Sequence, residues 1–250
     1  MKFIGIIPAR YASTRFPGKP LAMIGDRSMV MRVFDQATKA SSLSEVVVAT
    51  DDARIFDHVL TFGGKAVMTS DKHPCGTDRV NEAISKLLSN NGDPDEAVVI
   101  NIQGDEPFID PNAIDTLSAS FANPEISIAT LIKKITSTAE LSNPNVVKVI
   151  TGKSKRALYF SRSPLPFIRG VEVSDWITKH SYFKHIGIYA YRARVLGKLA
   201  GLPPTPLEKA EGLEQLRWLE NGYVIHTIET DYESIAVDSP EDLLKITNKV

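Results

Sequence analysis

The sequence predicts an α/β fold with a mostly parallel central sheet and a smaller mixed α/β lobe. Short aliphatic runs alternate with longer amphipathic stretches through the first half of the chain. Uninterrupted aliphatic strands between helices indicate a parallel sheet that is covered on both faces. Beyond residue 125, strand patterns at 126–132, 146–150 and 156–160 follow one another with little helix between them. This change of pattern favours a separate, mixed lobe.

Hydrophobic periodicity and helix-start signals predict the individual elements. The predicted strands of the first half are 4–7, 46–49, 65–68 and 97–102, and its predicted helices are 29–40, 53–61 and 78–88. A long helix at 206–220 is expected because Thr205 is a candidate N-cap, Pro206 stands at the first helical position and Glu208 completes a capping box. A final helix is expected from Ser239, and 161–179 is predicted to be a loop.

Composition and charge exclude several classes of protein. The 250 residues carry a formal net charge of −1, which disfavours sequence-independent binding of nucleic acid. The apolar run at the N-terminus ends at Pro8, and no stretch reaches the ~18 apolar residues of a membrane span. Cys75 is the sole cysteine, so no disulfide forms within the chain. We therefore expect a cytoplasmic protein without a membrane partner.

Three cations lie in the loop that follows the first strand. Arg10, Arg15 and Lys19 lie within ten residues, among small residues whose backbone N–H groups can approach phosphate. Arginine offers a bidentate fork and lysine a point charge, which suits a triphosphate. The loop lacks the glycine and serine or threonine pattern of a Walker A motif, and the three-glycine dinucleotide fingerprint is also missing. A solvated loop with scattered cations would have the same charge spacing.

Two carboxylates are candidates for binding the metal of a nucleoside triphosphate. Asp105 follows the strand at 97–102, and Gly104 before it allows close backbone approach. Ligands of parallel α/β sheets bind beyond the carboxyl ends of the strands, and Mg²⁺ prefers a few carboxylates together with phosphate and water. Asp238 follows a second apolar run. Asp105 could equally be a turn residue, and Asp238 could be part of a helix start.

At this point the residues resemble a known family, the sugar-acid cytidylyltransferases. The matching segments occur in order along the chain: IPARYASTRFPGKPL at 7–21, ATD at 49–51, GTDR at 76–79, QGDEP at 103–107, LYFSR at 158–162, HIGIY at 185–189, LE at 207–208 with LEQLR at 213–217, and VDSPEDL at 237–243. Within the family, the resemblance is strongest to members that activate 3-deoxy-D-manno-octulosonate (Kdo).

The resemblance implies a fold, a reaction and an assembly. The fold would be nucleotide-diphospho-sugar-transferase-like, with a CTP-binding lobe of 1–130 and 190–250 and a smaller lobe of 131–189 for the sugar acid and dimerisation. The expected reaction converts CTP and Kdo to CMP-Kdo and diphosphate, for lipopolysaccharide biosynthesis, in a homodimer that uses Mg²⁺. Alternatives are the same chemistry on 8-amino-Kdo or sialic acid, transfer to a sugar phosphate, and a non-catalytic nucleotide sensor.

The resemblance also implies roles for individual residues. Those expected to bind the nucleotide are Arg10, Ser13, Arg15, Lys19, Cys75, Gly76, Thr77 and Asp105. Catalytic roles are expected for Arg15, Lys19, Asp105 and Asp238, of which Asp105 and Asp238 would bind Mg²⁺. Those expected to bind the sugar acid are Gln103, Arg162, His185, Tyr189, Glu211 and Gln215. Cys75 stands where the family more often has serine, and a thiol is a weaker hydrogen-bonding group.

Periodicity supports part of the sugar-acid set. Alternation along a strand would place His185, Gly187, Tyr189 and Tyr191 on one face. Helical spacing would place Glu208, Glu211 and Gln215 on one stripe of the predicted long helix. A structural histidine or tyrosine and a solvated helix face are the ordinary alternatives.

Overall fold

A computed structural model of the protein describes residues 1–12, 16–89 and 93–247. The strands are β1 Lys2–Ala9, β2 Met23–Ile24, β3 Arg27–Ser28, β4 Glu45–Thr50, β5 Lys65–Met68, β6 Ala97–Asn101, β7 Ile128–Lys134, β8 Lys148–Thr151, β9 Ala157–Ser161, β10 Phe183–Arg192 and β11 His226–Glu229. The helices are α1 Met29–Ala37, α2 Ala53–Thr61, α3 Gly76–Leu88, α4 Pro111–Ala119, α5 Thr138–Ser142, α6 Trp176–Lys179, α7 Ala193–Ala200, α8 Pro206–Glu211, α9 Gln215–Glu220 and α10 Pro240–Thr247.

The α/β fold is confirmed, and so are the strands and helices predicted for the first half. Their ends shift by small amounts: β1 runs on to Ala9, and α1 stops at Ala37. Side-chain caps mark several starts, because Ser28 Oγ accepts from the backbone N–H of Met31 and Asp52 accepts from that of Arg54. The predicted final helix is confirmed as α10.

The predicted long helix at 206–220 is wrong. The structure has α8 and α9 instead, because Gly212 ends α8 in the left-handed conformation, with φ 63° and ψ 40°. Its N–H donates to the carbonyl of Glu208 at 2.7 Å, which closes the helix end. The single helical stripe of Glu208, Glu211 and Gln215 is therefore also wrong.

The loop predicted at 161–179 is wrong in its last part, which forms α6. The indole of Trp176 is buried against Ile135, Leu141 and Tyr182. Its Nε1–H donates to the carbonyl of Val171 at 2.9 Å. Burial of the Trp176 side chain stabilises this helical turn. The proline, glycine and charged residues of the segment had indicated a loop instead.

By packing, the chain divides into two compact units. The first comprises Met1–Ala119, Ile188–Ala200 and Ser234–Val250, and the second comprises Ser120–Gly187 and Gly201–Glu233. Residues 201–233 thus pack with the second unit. The sequence predicted two lobes by ligand, 1–130 with 190–250 for CTP and 131–189 for the sugar acid. This assignment of ligands to lobes stays a prediction.

In the first unit, a mostly parallel sheet positions the candidate site. β1 lies between β4 and β6, parallel to both, and β5 extends the sheet beside β4. The part of β10 in this unit runs antiparallel to β6, with Tyr189 opposite Asn101. The central strands are almost wholly buried, as their aliphatic sequences require. Since β1, β4, β5 and β6 are parallel, their carboxyl ends share one edge of the sheet.

The second unit is mixed in strand direction. β7 and β11 are parallel, whereas β8 runs antiparallel to β9 and to the start of β10. In the described part of the chain, no helix is both long and apolar enough to cross a membrane.

Candidate active site

A cleft of about 270 Å³ opens at the carboxyl edge of the first unit's sheet. Its walls come from the segments that follow β1, β5 and β6 and from the segment that precedes α10. The lining residues are Pro8, Ala9, Arg10, Lys19, Pro20, His73, Pro74, Cys75, Gly76, Arg79, Gln103, Gly104, Asp105 and Asp238. The structure therefore brings together many of the residues that the sequence indicated for nucleotide and metal.

Close backbone approach explains the glycine at the base of this cleft. A Cβ atom on Gly104 would lie 2.7 Å from the carbonyl oxygen of Pro8. That separation is shorter than a normal contact, so any side chain here would push apart the ends of β1 and β6. Asp105 is the next residue, and its position depends on this contact.

We expect Gly104→Ala to destabilise the fold and to impair turnover. Separating two buried strand ends is an overpacking change, which costs about 1–3 kcal/mol in the free energy of unfolding. Gly197→Ala in α7 is the matched control, because its Cβ would meet Asn81 Oδ1 at an ordinary 3.6 Å. Urea unfolding and rate measurements should show a loss for Gly104→Ala and none for Gly197→Ala. Equal behaviour of the two variants would contradict the close-approach argument.

Both candidate carboxylates, those of Asp105 and Asp238, lie beside the ammonium group of Lys19. Its Nζ lies 2.8 Å from Asp105 Oδ2 and 3.6 Å from Asp238 Oδ1. The ammonium group also donates to the carbonyl of Val237 at 3.0 Å. The Lys19 side chain is only 16 % exposed, whereas those of Asp105 and Asp238 are 27 % and 47 % exposed. Two carboxylates thus converge on one cation and remain accessible from the cleft.

Asp238 reaches this place through the buried residue before it. The backbone N–H of Val237 donates to the carbonyl of Asp105 at 2.9 Å. The Val237 side chain is fully buried in a cluster with Ile24, Met29 and Ile246. Apolar packing and one backbone hydrogen bond therefore hold two sequence-distant aspartates side by side.

The start of α10 holds the backbone of Asp238. The carboxylate of Asp242 accepts from the backbone N–H groups of Asp238 and Ser239, at 3.3 and 3.2 Å. Hydrogen bonds from Lys245 and Ser239 hold the pKa of the Asp242 carboxyl below its usual value. Asp242 is thus occupied in orienting the segment, and the carboxylate of Asp238 extends beside the cleft.

The first loop is tied to α2 through Tyr11. The guanidinium carbon of Arg54 lies 3.4 Å from the centre of the Tyr11 ring. Asp52 binds Arg54 through both carboxylate oxygens, at 2.9 and 2.6 Å. The carbonyl of Tyr11 accepts from the N–H of Gly18 at 2.9 Å, next to Lys19. Arg10 lines the cleft, whereas Ser13 and Arg15 lie outside the described residues.

Cys75, Gly76 and Thr77 lie at the start of α3. Cys75 lines the cleft, and its thiol donates to Asp78 Oδ2 at 3.1 Å. Gly76 also lines the cleft, but Thr77 is buried and does not belong to its lining. The predicted nucleotide contacts of these three residues stay predictions.

Two of the residues predicted for the sugar acid meet in the second unit. The carboxylate of Glu211 accepts from Ser161 Oγ at 2.6 Å and from the backbone N–H of Arg162 at 2.9 Å. Arg162 Nε donates to the carbonyl of Glu211 at 2.7 Å, and its Nη1 donates to that of Pro144 at 3.1 Å. Glu211 and Arg162 therefore hold each other in fixed orientations.

The remaining sugar-acid candidates have separate surroundings. In the second unit, His185 Nε2 lies 3.0 Å from Thr130 Oγ1, and its ring packs edge-on against Phe160. Desolvation lowers the pKa of His185 to about 3, so the imidazole is neutral near pH 7. Gln215 is buried in the same unit. Gln103 lines the cleft of the first unit. Tyr189 belongs to the same unit, and its ring stacks on that of Tyr191.

A cytidylyltransferase family model matches residues 4–235. The chain belongs to the cytidylyltransferase family. Relatives named 3-deoxy-manno-octulosonate cytidylyltransferase share high identity with it over nearly their whole length. The protein from Bacteroides thetaiotaomicron is 53 % identical, over 97 % of this chain and 96 % of its own. That from Thermodesulfovibrio yellowstonii is 49 % identical, over 97 % and 96 %.

Solved structures agree with this membership. A CMP:2-keto-3-deoxy-manno-octonic acid synthetase in complex with CTP is 41 % identical, covers 100 % of this chain and 98 % of its own, and has a TM-score of 0.89. A 4-diphosphocytidyl-2C-methyl-D-erythritol synthase shares the fold, with a TM-score of 0.64 at 13 % identity over 99 % of this chain and 98 % of its own. The nucleotidyltransferase-like fold and the family resemblance stated from the sequence are both confirmed.

Two pairs of residues at the cleft were not predicted from the sequence to have a role. Arg79 lines the cleft, and its Nη2 lies 2.7 Å from Asp51 Oδ2. His73 also lines the cleft and contacts Glu82 through Nε2. Asp51 and Arg79 stand in segments that carried the family resemblance, so their position directly after β4 and in the first turns of α3 was an available signal.

Proposed function

We propose that the protein is a 3-deoxy-manno-octulosonate cytidylyltransferase that converts CTP and Kdo to CMP-Kdo and diphosphate, for lipopolysaccharide biosynthesis. The observation that carries the proposal is the convergence of Asp105 and Asp238 on Lys19 at the carboxyl edge of the sheet. A nucleotidyl transfer needs cations for the phosphates and carboxylates for a metal ion at one place. The names of the full-length relatives support Kdo as the acceptor.

The carboxylates of Asp105 and Asp238 are suitable ligands for Mg²⁺. Both are partly exposed in the cleft and lie close enough to share one cationic partner. Among the described residues no group of three or more histidine, cysteine or acidic side chains forms a metal cluster. Mg²⁺ nevertheless binds through one or two carboxylates together with phosphate oxygens and water. Bound there, the ion would neutralise phosphate charge and favour ionisation of the sugar-acid hydroxyl that reacts with CTP.

The protein's own residues would supply positioning and electrostatic stabilisation. The anomeric hydroxyl of the sugar acid loses its proton to solvent, its oxygen forms a bond to the α-phosphorus of CTP, and the bond from that phosphorus to the leaving diphosphate breaks in line with it. Lys19 and Arg10 would hold phosphate oxygens and neutralise charge as diphosphate departs, and we assign the same role to Arg15. The hydrogen bond from Lys19 to the carbonyl of Val237 orients its ammonium group beside the cleft.

We propose sugar-acid contacts for Arg162, His185, Glu211 and Gln215 of the second unit, while those expected of Gln103 and Tyr189 in the first unit stay predictions. The neutral imidazole of His185 suits a hydroxyl group better than a carboxylate, since it carries no charge near pH 7. Arg162 Nε donates to the carbonyl of Glu211, and this hydrogen bond restrains the only guanidinium in this proposed set. We also propose a homodimer that acts in the cytoplasm.

The proposal is tested by diphosphate release from CTP and Mg²⁺ with Kdo, 8-amino-Kdo and sialic acid in parallel. We expect release with Kdo at a kcat/KM at least tenfold above that with sialic acid, since about 1.4 kcal/mol of differential binding gives that ratio. A stronger response to 8-amino-Kdo would keep the chemistry and change the substrate. CTP binding without release with any acid would overturn the proposal in favour of a sensor or a different acceptor.

A further inference from the structure

His73 lines the cleft, but the proposed reaction assigns no role to it. It stands in the connection between β5 and α3, and it lines the cleft beside Pro74, Cys75 and Gly76. The side chain is 20 % exposed, so the imidazole is mostly enclosed but reachable. Its Nε2 contacts Glu82 Oε2 closely.

One stripe of α3 holds this connection in place. Arg79, Glu82 and Lys86 are spaced three and four residues apart and therefore share a helix face. Arg79 Nη1 donates to Thr69 Oγ1 at 2.6 Å, and Lys86 Nζ donates to the carbonyl of Met68 at 2.8 Å. Glu82 accepts from the backbone N–H of Ser70 at 2.8 Å. The segment before His73 is thus held against α3, and Glu82 of the same helix contacts the imidazole itself.

The state of Glu82 fixes the tautomer of His73. Partial burial opposes ionisation of this carboxyl, yet hydrogen bonds from Lys86, Ser70 and His73 lower its pKa to about 2. Glu82 is therefore a carboxylate near pH 7 and can only accept hydrogen bonds. The contact must then be a hydrogen bond in which His73 Nε2–H donates. In the neutral imidazole the other nitrogen, Nδ1, is consequently an acceptor.

The charges around the cleft indicate which part of a nucleotide lies near this acceptor. Lys19 and Arg10 are on the side of the first loop, where they suit the triphosphate. Pro74, Cys75 and Gly76, which line the cleft next to His73 in the chain, carry no charge. Arg79 is paired with Asp51 at 2.7 Å and is 3 % exposed, so its charge is largely neutralised. This uncharged wall is the better surface for a base.

We propose that His73 Nδ1 accepts a hydrogen bond from the exocyclic amino group of the bound cytosine and selects CTP over UTP, with Glu82 as the positioning residue. The proposal rests on CTP being the nucleotide substrate. Uracil has a carbonyl oxygen where cytosine has the amino group, so the same nitrogen would face a second acceptor. A site built to hydrogen-bond one substrate group discriminates well against an analogue that lacks it.

The test measures binding of CTP and UTP, each with Mg²⁺, by calorimetry in the absence of any sugar acid. His73→Gln keeps an N–H donor for Glu82 but has no acceptor at the place of Nδ1. We expect it to weaken CTP binding about tenfold and to change UTP binding by less than about threefold, as expected for loss of one buried hydrogen bond. An equal loss for both nucleotides, or no loss for either, would overturn the proposal.

A second variant and a control make the result specific. His73→Asn offers an acceptor oxygen at the place of Nδ1 and should retain the preference for CTP better than His73→Gln; the reverse order contradicts the proposal. His180→Gln, at an exposed histidine of the second unit, should change neither affinity. Because no sugar acid is present, a wild-type protein that binds CTP but fails to turn over Kdo would refute the proposed function and leave this test intact.

Discussion

Asp105→Asn and Asp238→Asn are each expected to lower kcat about 100-fold or more, because each removes a charged ligand from the proposed metal site. The asparagine side chain keeps the size of aspartate but loses its negative charge. The rate should be measured as diphosphate release at saturating CTP and Kdo over a range of Mg²⁺ concentrations. If each variant retains a near-normal rate at saturating Mg²⁺, the metal assignment is wrong.

The fold of both variants should survive. The two ion pairs with Lys19 are partly exposed, and such pairs contribute about 1 kcal/mol or less to stability. Lys19 also keeps its hydrogen bond to the carbonyl of Val237. Asp57→Asn is the matched control, because Asp57 is an exposed carboxylate of α2 outside the cleft. Its rate and its denaturant midpoint should both equal those of the wild-type protein.

The location of the site at the carboxyl edge of the sheet could be predicted from the sequence, because the alternation of strands and helices indicates that the strands are parallel. Once parallel strands are inferred, Lys19 after β1 and Asp105 after β6 are expected at the same edge. The approach of Asp238 is harder to infer, since it depends on the buried side chain of Val237 and on one backbone hydrogen bond to Asp105. Those are tertiary contacts that no local pattern encodes.

The break between α8 and α9 shows a different limit. Helical spacing of Glu208, Glu211 and Gln215 suggested one continuous helix, although Gly212 stands inside it. A glycine within a helical pattern can be tolerated or can end the helix, and the pattern alone does not decide. Here the break turns Glu211 toward Ser161 and Arg162, while Arg217 of α9 pairs with Glu208 at 2.8 Å.

The tie between His73 and Glu82 could not be inferred from spacing. The two residues are nine positions apart, one in a connection and one in a helix. Only the path of residues 69–75, which Arg79 and Lys86 help to fix, brings the imidazole to the carboxylate. The sequence thus indicated the cations and carboxylates of the cleft and, through the family resemblance, Cys75 and Gly76, while the contact of His73 with Glu82 required the structure.

The largest effect on stability is expected from Arg79→Met. The side chains of Arg79 and Asp51 are 4 % and 13 % exposed, and their nitrogen and oxygen lie 2.7 Å apart. Removal of one partner from such a buried pair leaves an uncompensated charge, which costs about 3–5 kcal/mol in the free energy of unfolding. The variant also loses the hydrogen bonds to Thr69 and Ser70, so nucleotide binding should weaken together with stability.

Urea unfolding of Arg79→Met should be compared with that of Arg54→Met, which removes an exposed arginine from its own aspartate, Asp52. Arg54→Met should leave the denaturant midpoint nearly unchanged, because solvent screens that pair. The double variant Arg79→Met with Asp51→Asn should recover part of the lost stability, since no buried charge then lacks its partner. If Arg79→Met shifts the midpoint no more than Arg54→Met does, the buried pair is not what holds the wall of the cleft. A midpoint that falls sharply in Arg79→Met and partly returns in the double variant would instead identify the uncompensated Asp51 charge as the cause.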